Sequence, residues 1–259
     1  MPVVTLISDW NNHDFYLGTM KGNIISLIPE INLIDLTHDI PPFRLAQAAF
    51  VVRNTYYRFP KGTIHLICVN SEPAKGKRHL VIEYDGHFFV CADNGIVGLI
   101  CNNEEFLKSV RQYSEEYQES SFGIIDVFPK LVRGILDKNL NKITSVAEEY
   151  DKNVPMRPVI EENVISGSII YIDTYQNAIS NINKKLFEDV GKDRKFEILV
   201  QSNYYRITKI NQSYYETPVG ELLALFNSLD LLEIAIKDGN AADLLNLKIN
   251  SVIRIKFFS

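Results

Sequence analysis

Short apolar runs alternate with polar loops through the first half of the chain. Val3–Ser8, Asn32–Leu36 and Ile64–Val69 are strand-like runs, and continuous runs rich in Val, Ile and Leu are typical of strands that are buried on both faces. Apolar residues at helical spacing occupy residues 15–28 and 44–59 between them. The repeated order of strand, helix and strand predicts a mostly parallel sheet that is flanked by helices.

The third strand-like run leads into a stretch that suggests a ligand site. After Val69 the chain is polar from Asn70 to Arg78, and open α/β sheets bind ligands in loops at the carboxyl ends of strands. A hairpin is predicted around Asp85-Gly86, and it ends at a second turn, Asp93-Asn94-Gly95. The two loops are either one wall of a small-molecule pocket or ordinary solvated turns.

The pattern changes in the second half of the chain. Residues 1–150 form the predicted α/β domain, in which residues 102–120 are a polar surface segment, and residues 151–163 form the predicted linker. Residues 164–259 carry short strand-like runs separated by turns, which predicts a C-terminal antiparallel β-barrel-like domain. These runs are Val164–Ile172, Ala178–Ile182, Phe196–Val200, Tyr204–Ile210, Leu222–Asn227, Leu231–Ile236 and Val252–Lys256.

Composition excludes several classes of protein. With 259 residues, of which 46% are hydrophobic and 23% charged, the chain can bury a sizeable core. A net charge of −5 without a basic run argues against nucleic-acid binding. The apolar runs are too short to span a bilayer, so we expect no membrane association. The three cysteines are odd in number, Cys68 and Cys91 lie inside strand-like runs and no export signal is visible, which predicts buried, reduced thiols in a cytoplasmic protein. The cysteines lack CxxC spacing and the five histidines lack metal-ligand spacing, so we expect no metal site.

One acidic residue stands where the first strand ends. Asp9 follows Ser8 and precedes a loop rich in turn-forming residues. A carboxylate at this position can accept hydrogen bonds from the two hydroxyls of a ribose. It can equally cap the helix that follows. The residues around Asp9 leave both interpretations open.

Several short motifs together resemble one enzyme family. The most specific are residues 37–42 (Thr-His-Asp-Ile-Pro-Pro) and residues 172–177 (Ile-Asp-Thr-Tyr-Gln-Asn). With Ile7-Ser8-Asp9, Asp93-Asn94-Gly95 and Asn227-Ser228, they occur in the order found in the S-adenosyl-L-methionine hydroxide adenosyltransferases, relatives of the fluorinase and chlorinase. The resemblance extends from about residue 4 to residue 255.

The resemblance implies an assembly, a substrate and a set of binding residues. Members of the family are homotrimers that bind S-adenosyl-L-methionine as substrate, without a further cofactor, between the N-terminal domain of one subunit and the C-terminal barrel of the next. The implied contacts are Asp9 with the ribose hydroxyls, Tyr16 and Phe43 with the ribose and sulfonium, Asp173 with the methionine ammonium, Tyr175 and Asn177 with the adenine, and Ser228 with the methionine carboxylate.

The chain departs from the family at the groups that activate the nucleophile. Family hydrolases use an Asp, an Arg and a His, and the matching positions here are Asn70, Lys77 and Gly123, with Arg78 beside Lys77. Asn70 accepts no proton at neutral pH. Glu72 in the same loop is either a replacement base or a solvated carboxylate.

The favoured interpretation is an S-adenosyl-L-methionine hydrolase, which gives adenosine and L-methionine by displacement at ribose C5′. Asn70, Lys77 and Arg78 are then the candidate catalytic residues. The alternatives are a non-catalytic protein that binds an adenosyl ligand and, third, a halide-using adenosyltransferase, for which small residues around Gly123 leave room for chloride.

Overall fold

The computed structural model describes residues 1–115, 122–200 and 205–258. The chain divides into two compact units, Met1–Pro155 and Met156–Ser259. Within the described residues, no helix combines the length and the apolar character needed to cross a membrane.

The first unit begins with the predicted alternation of strands and helices. Its elements in chain order are β1 (Val3–Ser8), α1 (Phe15–Leu27), β2 (Asn32–Thr37), α2 (Leu45–Thr55), β3 (Ile64–Cys68), β4 (His79–Tyr84), β5 (His87–Ala92), α3 (Ile96–Ile100), β6 (Leu107–Tyr113), α4 (Ile124–Leu136) and β7 (Thr144–Val146).

These strands form one sheet in the order β2-β1-β3-β5-β4-β6-β7. β1 is parallel to β2 and β3, and β3 is parallel to β5, whereas β4 is antiparallel to β5 and β6, and β6 to β7. Strands β2, β1, β3, β5 and β6 therefore run one way and β4 and β7 the other. This confirms the predicted mostly parallel sheet and the hairpin around Asp85-Gly86.

The core lies on both faces of this sheet. Leu6 of β1 packs in a cluster with residues of α1 and α4, whereas its neighbour Ile7 packs in a second cluster with residues of α2 and α3. Successive side chains of a strand point to opposite faces, so a strand covered by helices on both sides needs apolar residues without alternation. The uninterrupted apolar runs of β1 and β3 have this cause.

The predicted polar surface segment over residues 102–120 is wrong for residues 107–113. These residues form β6, which pairs with β4 and buries Val110 and Tyr113. Polar residues predominate in the strand, so its pairing depends on the tertiary partner rather than on its own pattern. Residues 116–121 of that prediction lie outside the described residues, as does Tyr204 of a predicted strand.

The second unit consists mainly of antiparallel strands. Its elements are β8 (Val159–Glu161), β9 (Val164–Ile172), β10 (Ala178–Asn183), α5 (Lys184–Gly191), β11 (Lys195–Val200), β12 (Tyr205–Ile207), β13 (Leu222–Phe226), β14 (Leu231–Ile236), α6 (Ala241–Leu244) and β15 (Val252–Phe258). Strand β8 lies inside the predicted linker and pairs with β9, so that part of residues 151–163 belongs to the sheet.

The sheet of the second unit is nearly closed into a barrel. Its order is β12-β11-β15-β9-β10-β14-β13, with antiparallel pairing throughout. A bridge between Asn211 and Leu225 brings the segment after β12 to β13 at the other edge. This confirms the predicted barrel-like domain. The pattern did not predict α5, which begins where the Asn183 side chain accepts a hydrogen bond from the Leu186 amide at 2.8 Å.

Candidate functional site

Asp9 joins three loops at the carboxyl ends of β1, β2 and β3. Its Oδ2 accepts a hydrogen bond from the Phe43 amide at 2.9 Å and from the Asn70 amide at 3.2 Å. Phe43 and Asn70 both have left-handed backbone, with φ of 65° and 45°. The helix α1 starts after Asp14, so the interpretation of Asp9 as its cap is wrong. Asp9 instead fixes the loops that follow the neighbouring strands.

An aromatic cluster lies next to Asp9. The Trp10 ring is 5.3 Å from the Phe122 ring and 6.1 Å from the Tyr16 ring, and Tyr16 and Phe122 are 4.7 Å apart between centroids. Phe43, by contrast, is 71% exposed. Tyr16 therefore belongs to a packed wall, whereas the Phe43 ring projects from a loop that Asp9 fixes.

The two polar loops that follow β3 and β5 lie side by side, as the sequence suggested. The Asn94 side chain donates to the carbonyl of Asn70 at 2.9 Å and to that of Val69 at 3.4 Å. The His79 ring meets the Ser71 carbonyl at 2.9 Å. Both the amide and the carbonyl of Asn70, a predicted catalytic residue, are therefore hydrogen-bonded, while the residue itself remains exposed.

Lys77 and Arg78 are engaged by other parts of the first unit. The Lys77 ammonium lies 2.8 Å from Asp151 Oδ1 and 3.4 Å from Asp93 Oδ2. The hydrogen bond that Lys77 donates to Asp151 is the largest cause that raises the pKa of Lys77 above its ordinary value. Arg78 donates to the Glu115 carbonyl at 3.2 Å. These two predicted catalytic cations are therefore held by acceptors of the protein itself.

Glu72 reaches the start of α4. Its Oε1 accepts a hydrogen bond from the Ile124 amide at 3.1 Å, and a Cβ built on Gly123 would lie 3.8 Å from its Oε2. Burial raises the pKa of the Glu72 carboxyl, and the Ile124 and Gly123 amides offset only part of this effect. The structure thus brings together Glu72 and Gly123, which are 51 residues apart in the sequence.

The start of α4 is itself held in place by α1. Pro129 lies inside α4 and has no amide hydrogen to donate to the carbonyl of residue 125. The Asn23 side chain donates to that Ile125 carbonyl at 3.1 Å. The Ile125 carbonyl, in the turn of α4 that faces Glu72, is therefore hydrogen-bonded despite the proline.

A polar chain links β1 to β2 and α1, and it runs from the buried Ser8 and His38 to the more exposed Asp35 and Lys21. Ser8 Oγ lies 2.7 Å from His38 Nδ1, His38 Nε2 lies 3.1 Å from Asp35 Oδ1, and Lys21 lies 2.6 Å from Asp35 Oδ2. Burial tends to raise the pKa of Asp35, but the hydrogen bonds from Lys21 and His38 outweigh it and hold that pKa below its ordinary value. The sequence reasoning assigned these residues no role, although Ser8 and His38 lie in the motifs that carry the resemblance.

In the second unit, Asp173 and Asn177 form a local pair. Asn177 donates its amide to Asp173 Oδ1 at 2.8 Å and its side chain to Asp173 Oδ2 at 3.1 Å. Between them in the same turn lies Tyr175, which is 77% exposed. Three of the predicted binding residues therefore share the turn between β9 and β10.

Ser228 lies in a different turn, between β13 and β14, where it is exposed. Asn183 pairs with Leu231 near this turn, whereas Ala178 pairs with Ile234 near the turn of Asp173. The two turns therefore flank the β10–β14 pair at its two ends, roughly 10 Å apart along β14 at about 3.3 Å per residue. A joint contact of Asp173 and Ser228 with one amino-acid group stays a prediction.

A buried carboxylate of the second unit was missed by the sequence reasoning. Glu233 is 3% exposed; Tyr214 donates to its Oε1, and Asn227 donates to its Oε2 at 3.1 Å. Burial is the largest cause that raises the pKa of Tyr214, and Glu233 and Asp173 add to it. The sequence signal for this buried carboxylate was a single Glu in the otherwise apolar strand β14.

No group of three or more His, Cys, Asp or Glu residues in the described part of the chain is arranged to hold a metal ion. The chemistry of the site therefore has to be argued from carboxylates, amides, cations and aromatic rings.

Comparison with known proteins decides the family. The profile of the SAM hydroxide adenosyltransferase N-terminal domain matches residues 4–144, and that of the C-terminal domain matches residues 167–254. The chain belongs to the SAM hydroxide adenosyltransferase family. The relatives that it matches are named as hydrolases and as fluorinases, so the family is one of enzymes.

Two relatives and one solved structure show how far the likeness to other members extends. The (R)-S-adenosyl-L-methionine hydrolase of Methanocaldococcus jannaschii is 27% identical over 95% of this chain and 93% of its own length. The fluorinase of Actinopolyspora mzabensis is 21% identical over 98% of this chain and 97% of its own length. The crystal structure of a conserved protein of Thermotoga maritima matches with a TM-score of 0.86 at 24% identity. The match covers 97% of this chain and 99% of that protein, and it supports the fold.

Proposed function

We propose that this protein is an S-adenosyl-L-methionine hydrolase. Water would displace methionine at ribose C5′: the new C–O bond forms, the C–S bond breaks with its electron pair on sulfur, and adenosine, methionine and a proton result. The observation that carries the proposal is the Asp9 carboxylate, which two loop amides fix at the sheet edge beside an aromatic wall. Such a fixed carboxylate suits a ribose diol.

The binding roles rest on the chemistry of each group. The amides of Phe43 and Asn70 both bind Oδ2 of Asp9, which supports acceptance of the ribose hydroxyls mainly on Oδ1. We assign Tyr16 and Phe43 to the ribose and the sulfonium, because aromatic faces attract cations. Asp173 is assigned to the ammonium, with Tyr175 and Asn177 on the adenine side and Ser228 on the carboxylate.

We further propose that the protein is a cytoplasmic homotrimer with the site at an interface between copies. Phe43 and Tyr175 are 71% and 77% exposed, and large exposed aromatic residues are typical of surfaces that bind a partner or a ligand. The three cysteines are unpaired, which supports a reducing compartment.

The catalytic roles of Asn70, Lys77 and Arg78 are orientation and charge. Of these three residues, Asn70 is the one whose backbone amide binds Asp9, and the two cations would polarise the attacking water. The ion pairs of Lys77 with Asp93 and Asp151 favour a second candidate function, a protein that binds the adenosyl ligand without turnover, because they partly neutralise that cation.

The test is incubation of the purified protein with S-adenosyl-L-methionine, with and without chloride, followed by chromatography of the products. Adenosine supports the hydrolase, and 5′-chloroadenosine would show a halide-using enzyme. Saturable heat of binding without product would support the second candidate. Neither turnover nor binding would contradict the ligand assignment.

Asp9→Asn and Asp14→Asn form a matched pair for the same assay. An asparagine at position 9 retains an oxygen that can accept the loop amides but loses the charge, whereas Asp14 is exposed and its side chain makes no capping bond. We expect weaker ligand binding only for Asp9→Asn. Equal affinity of both variants would remove Asp9 from the site.

A further inference from the structure

The loop after β3 carries a carboxylate whose surroundings differ from those of every other acid at this edge. Glu72 lies two residues beyond Asn70, whose amide is bound to Asp9. Its oxygens face the first residues of α4 rather than a cation: Oε1 is 3.1 Å from the Ile124 amide. No ion pair of Glu72 occurs among the described residues.

Gly123 leaves room for a small group beside that carboxylate. Apart from the neighbours of Gly123 along the chain, Glu72 Oε2 is the one atom of the described residues within 4 Å of the position that a Gly123 Cβ would occupy, and at 3.8 Å it would be in ordinary van der Waals contact. Phe122, directly before Gly123, packs against Trp10 and Tyr16. The space is therefore bordered by a carboxylate and lies beside the aromatic wall that continues to Asp9.

Glu72 is also the single carboxylate of the loop after β3, and its oxygens accept the amides of Ile124 and Gly123 without meeting a cation of the described residues. Asp9 accepts two loop amides, and Asp93 accepts the Asp151 amide at 2.8 Å and meets Lys77. Asn70 cannot take a proton, and Lys77 and Arg78 are cations. A proton released at this edge thus has one suitable acceptor on the loop after β3.

We propose that Glu72 is the general base of the displacement, a role that rests on the hydrolase function proposed above. As water attacks C5′, one of its protons passes to a Glu72 oxygen and later to solvent, and the C–S electron pair leaves with methionine. The start of α4 positions the carboxylate, and Gly123 gives the water room to reach it.

The state of ionisation suits the role. Burial raises the pKa of Glu72 above that of an ordinary glutamate, while the amides of Ile124 and Gly123 favour the charged form. A base whose pKa is raised towards the operating pH accepts a proton more readily. Activity should therefore fall on the acid side as pH drops through the Glu72 pKa, and this limb should lie above pH about 4.3, the ordinary glutamate value.

Glu72→Gln and Glu72→Ala separate the base from the structural contact. The glutamine can still accept the Ile124 amide, whereas the alanine cannot, and neither accepts a proton. We expect both variants to lose kcat by about 100-fold or more, the usual worth of a general base, with the Kd for S-adenosyl-L-methionine within about threefold of the unaltered protein. Formate should restore part of the rate of Glu72→Ala, and the acid limb should disappear in both.

Glu149→Gln, an exposed glutamate of the same unit, is the control and should keep its kcat. Full activity in Glu72→Gln with loss in Glu72→Ala would show that Glu72 only supports α4, and would overturn the proposal while the hydrolase function stands. If the unaltered protein binds the ligand but makes no adenosine, the hydrolase function is contradicted, and the role of Glu72 as its base is contradicted with it.

Discussion

Asp9 and Asp173 are held in place in different ways. Asp9 accepts amides from two loops that lie 34 and 61 residues further along the chain, whereas Asp173 accepts both of its bonds from Asn177, in the same turn. The first carboxylate therefore depends on the packing of a whole sheet edge, and the second on a five-residue turn. Because the donors of Asp9 lie in distant loops, the position of its carboxylate depends on the packing of the whole first unit.

The largest expected difference between the two units is their response to acid. All five histidines lie in the first unit, and burial lowers the pKa of His65 to about 3 and that of His79 to about 4. The unfolded chain binds these protons near pH 6.5 and the folded unit does not, so stability is full above about pH 6.5 and falls with decreasing pH. The slope is roughly 1.4 kcal/mol per pH unit for each histidine.

Urea unfolding between pH 7.5 and 5, followed by the fluorescence of Trp10, measures this loss, because Trp10 is the single tryptophan and lies in the first unit. His13→Gln, at an exposed position, should leave the slope unchanged. A free energy of unfolding that does not change with pH would show that His65 and His79 are protonated in the folded protein.

The next effect concerns the two carboxylates themselves. Asp9→Ala and Asp173→Ala should each weaken S-adenosyl-L-methionine binding by about 1.5–3 kcal/mol, the worth of charge-assisted hydrogen bonds. Asp9→Ala should also lower the free energy of unfolding more than Asp173→Ala, because the two donors of Asp9 belong to loops that are distant along the chain, whereas both donors of Asp173 belong to Asn177 in the same turn. Calorimetry for binding and urea titration for stability separate the two quantities. Equal losses of stability would remove the contrast between them.

A smaller effect tests the support of α4. Asn23→Ala should cost about 1 kcal/mol of unfolding free energy, since the Ile125 carbonyl then has no side-chain donor. In a Pro129→Ala background the helix can supply its own amide, so the same change should cost less. A double-mutant cycle of the four proteins measures this coupling, and simple additivity would contradict the assigned role of Asn23.

The smallest effect is expected at Asn177. Asn177→Ala should weaken ligand binding by less than Asp173→Ala, about 0.5–1.5 kcal/mol, because it loosens the Asp173 carboxylate and removes one neutral contact on the adenine side but leaves the charge of Asp173 in place. Isothermal titration with both variants gives the order. A larger loss for Asn177→Ala would point to a direct ligand contact that outweighs the positioning of Asp173.

The sequence was most informative where one residue pattern determines one structure. The apolar runs of β1 and β3 and the turn at Asp85-Gly86 each have a single favourable fold, and their strands lie where the pattern placed them. Strand β6 and helix α5 were missed, because a mostly polar strand takes its conformation from a partner and a short helix depends on a cap.

The site was predictable only in part, for a related reason. The position of Asp9 at the end of a strand follows from local pattern, but its donors come from distant loops. The engagement of Lys77 by Asp93 and Asp151 and the approach of Glu72 to Gly123 likewise join segments that are far apart along the chain. A pattern that is read along the chain does not contain such pairings.

The left-handed backbone at Phe43 has a consequence for how this protein can be improved. Residues with a Cβ adopt that conformation at an energetic cost, which glycine avoids. Glycine at position 43 would thus favour thermostability and would delete the ring that projects from the Asp9 loop. At position 43, a substitution that raises thermal stability is therefore expected to weaken ligand recognition.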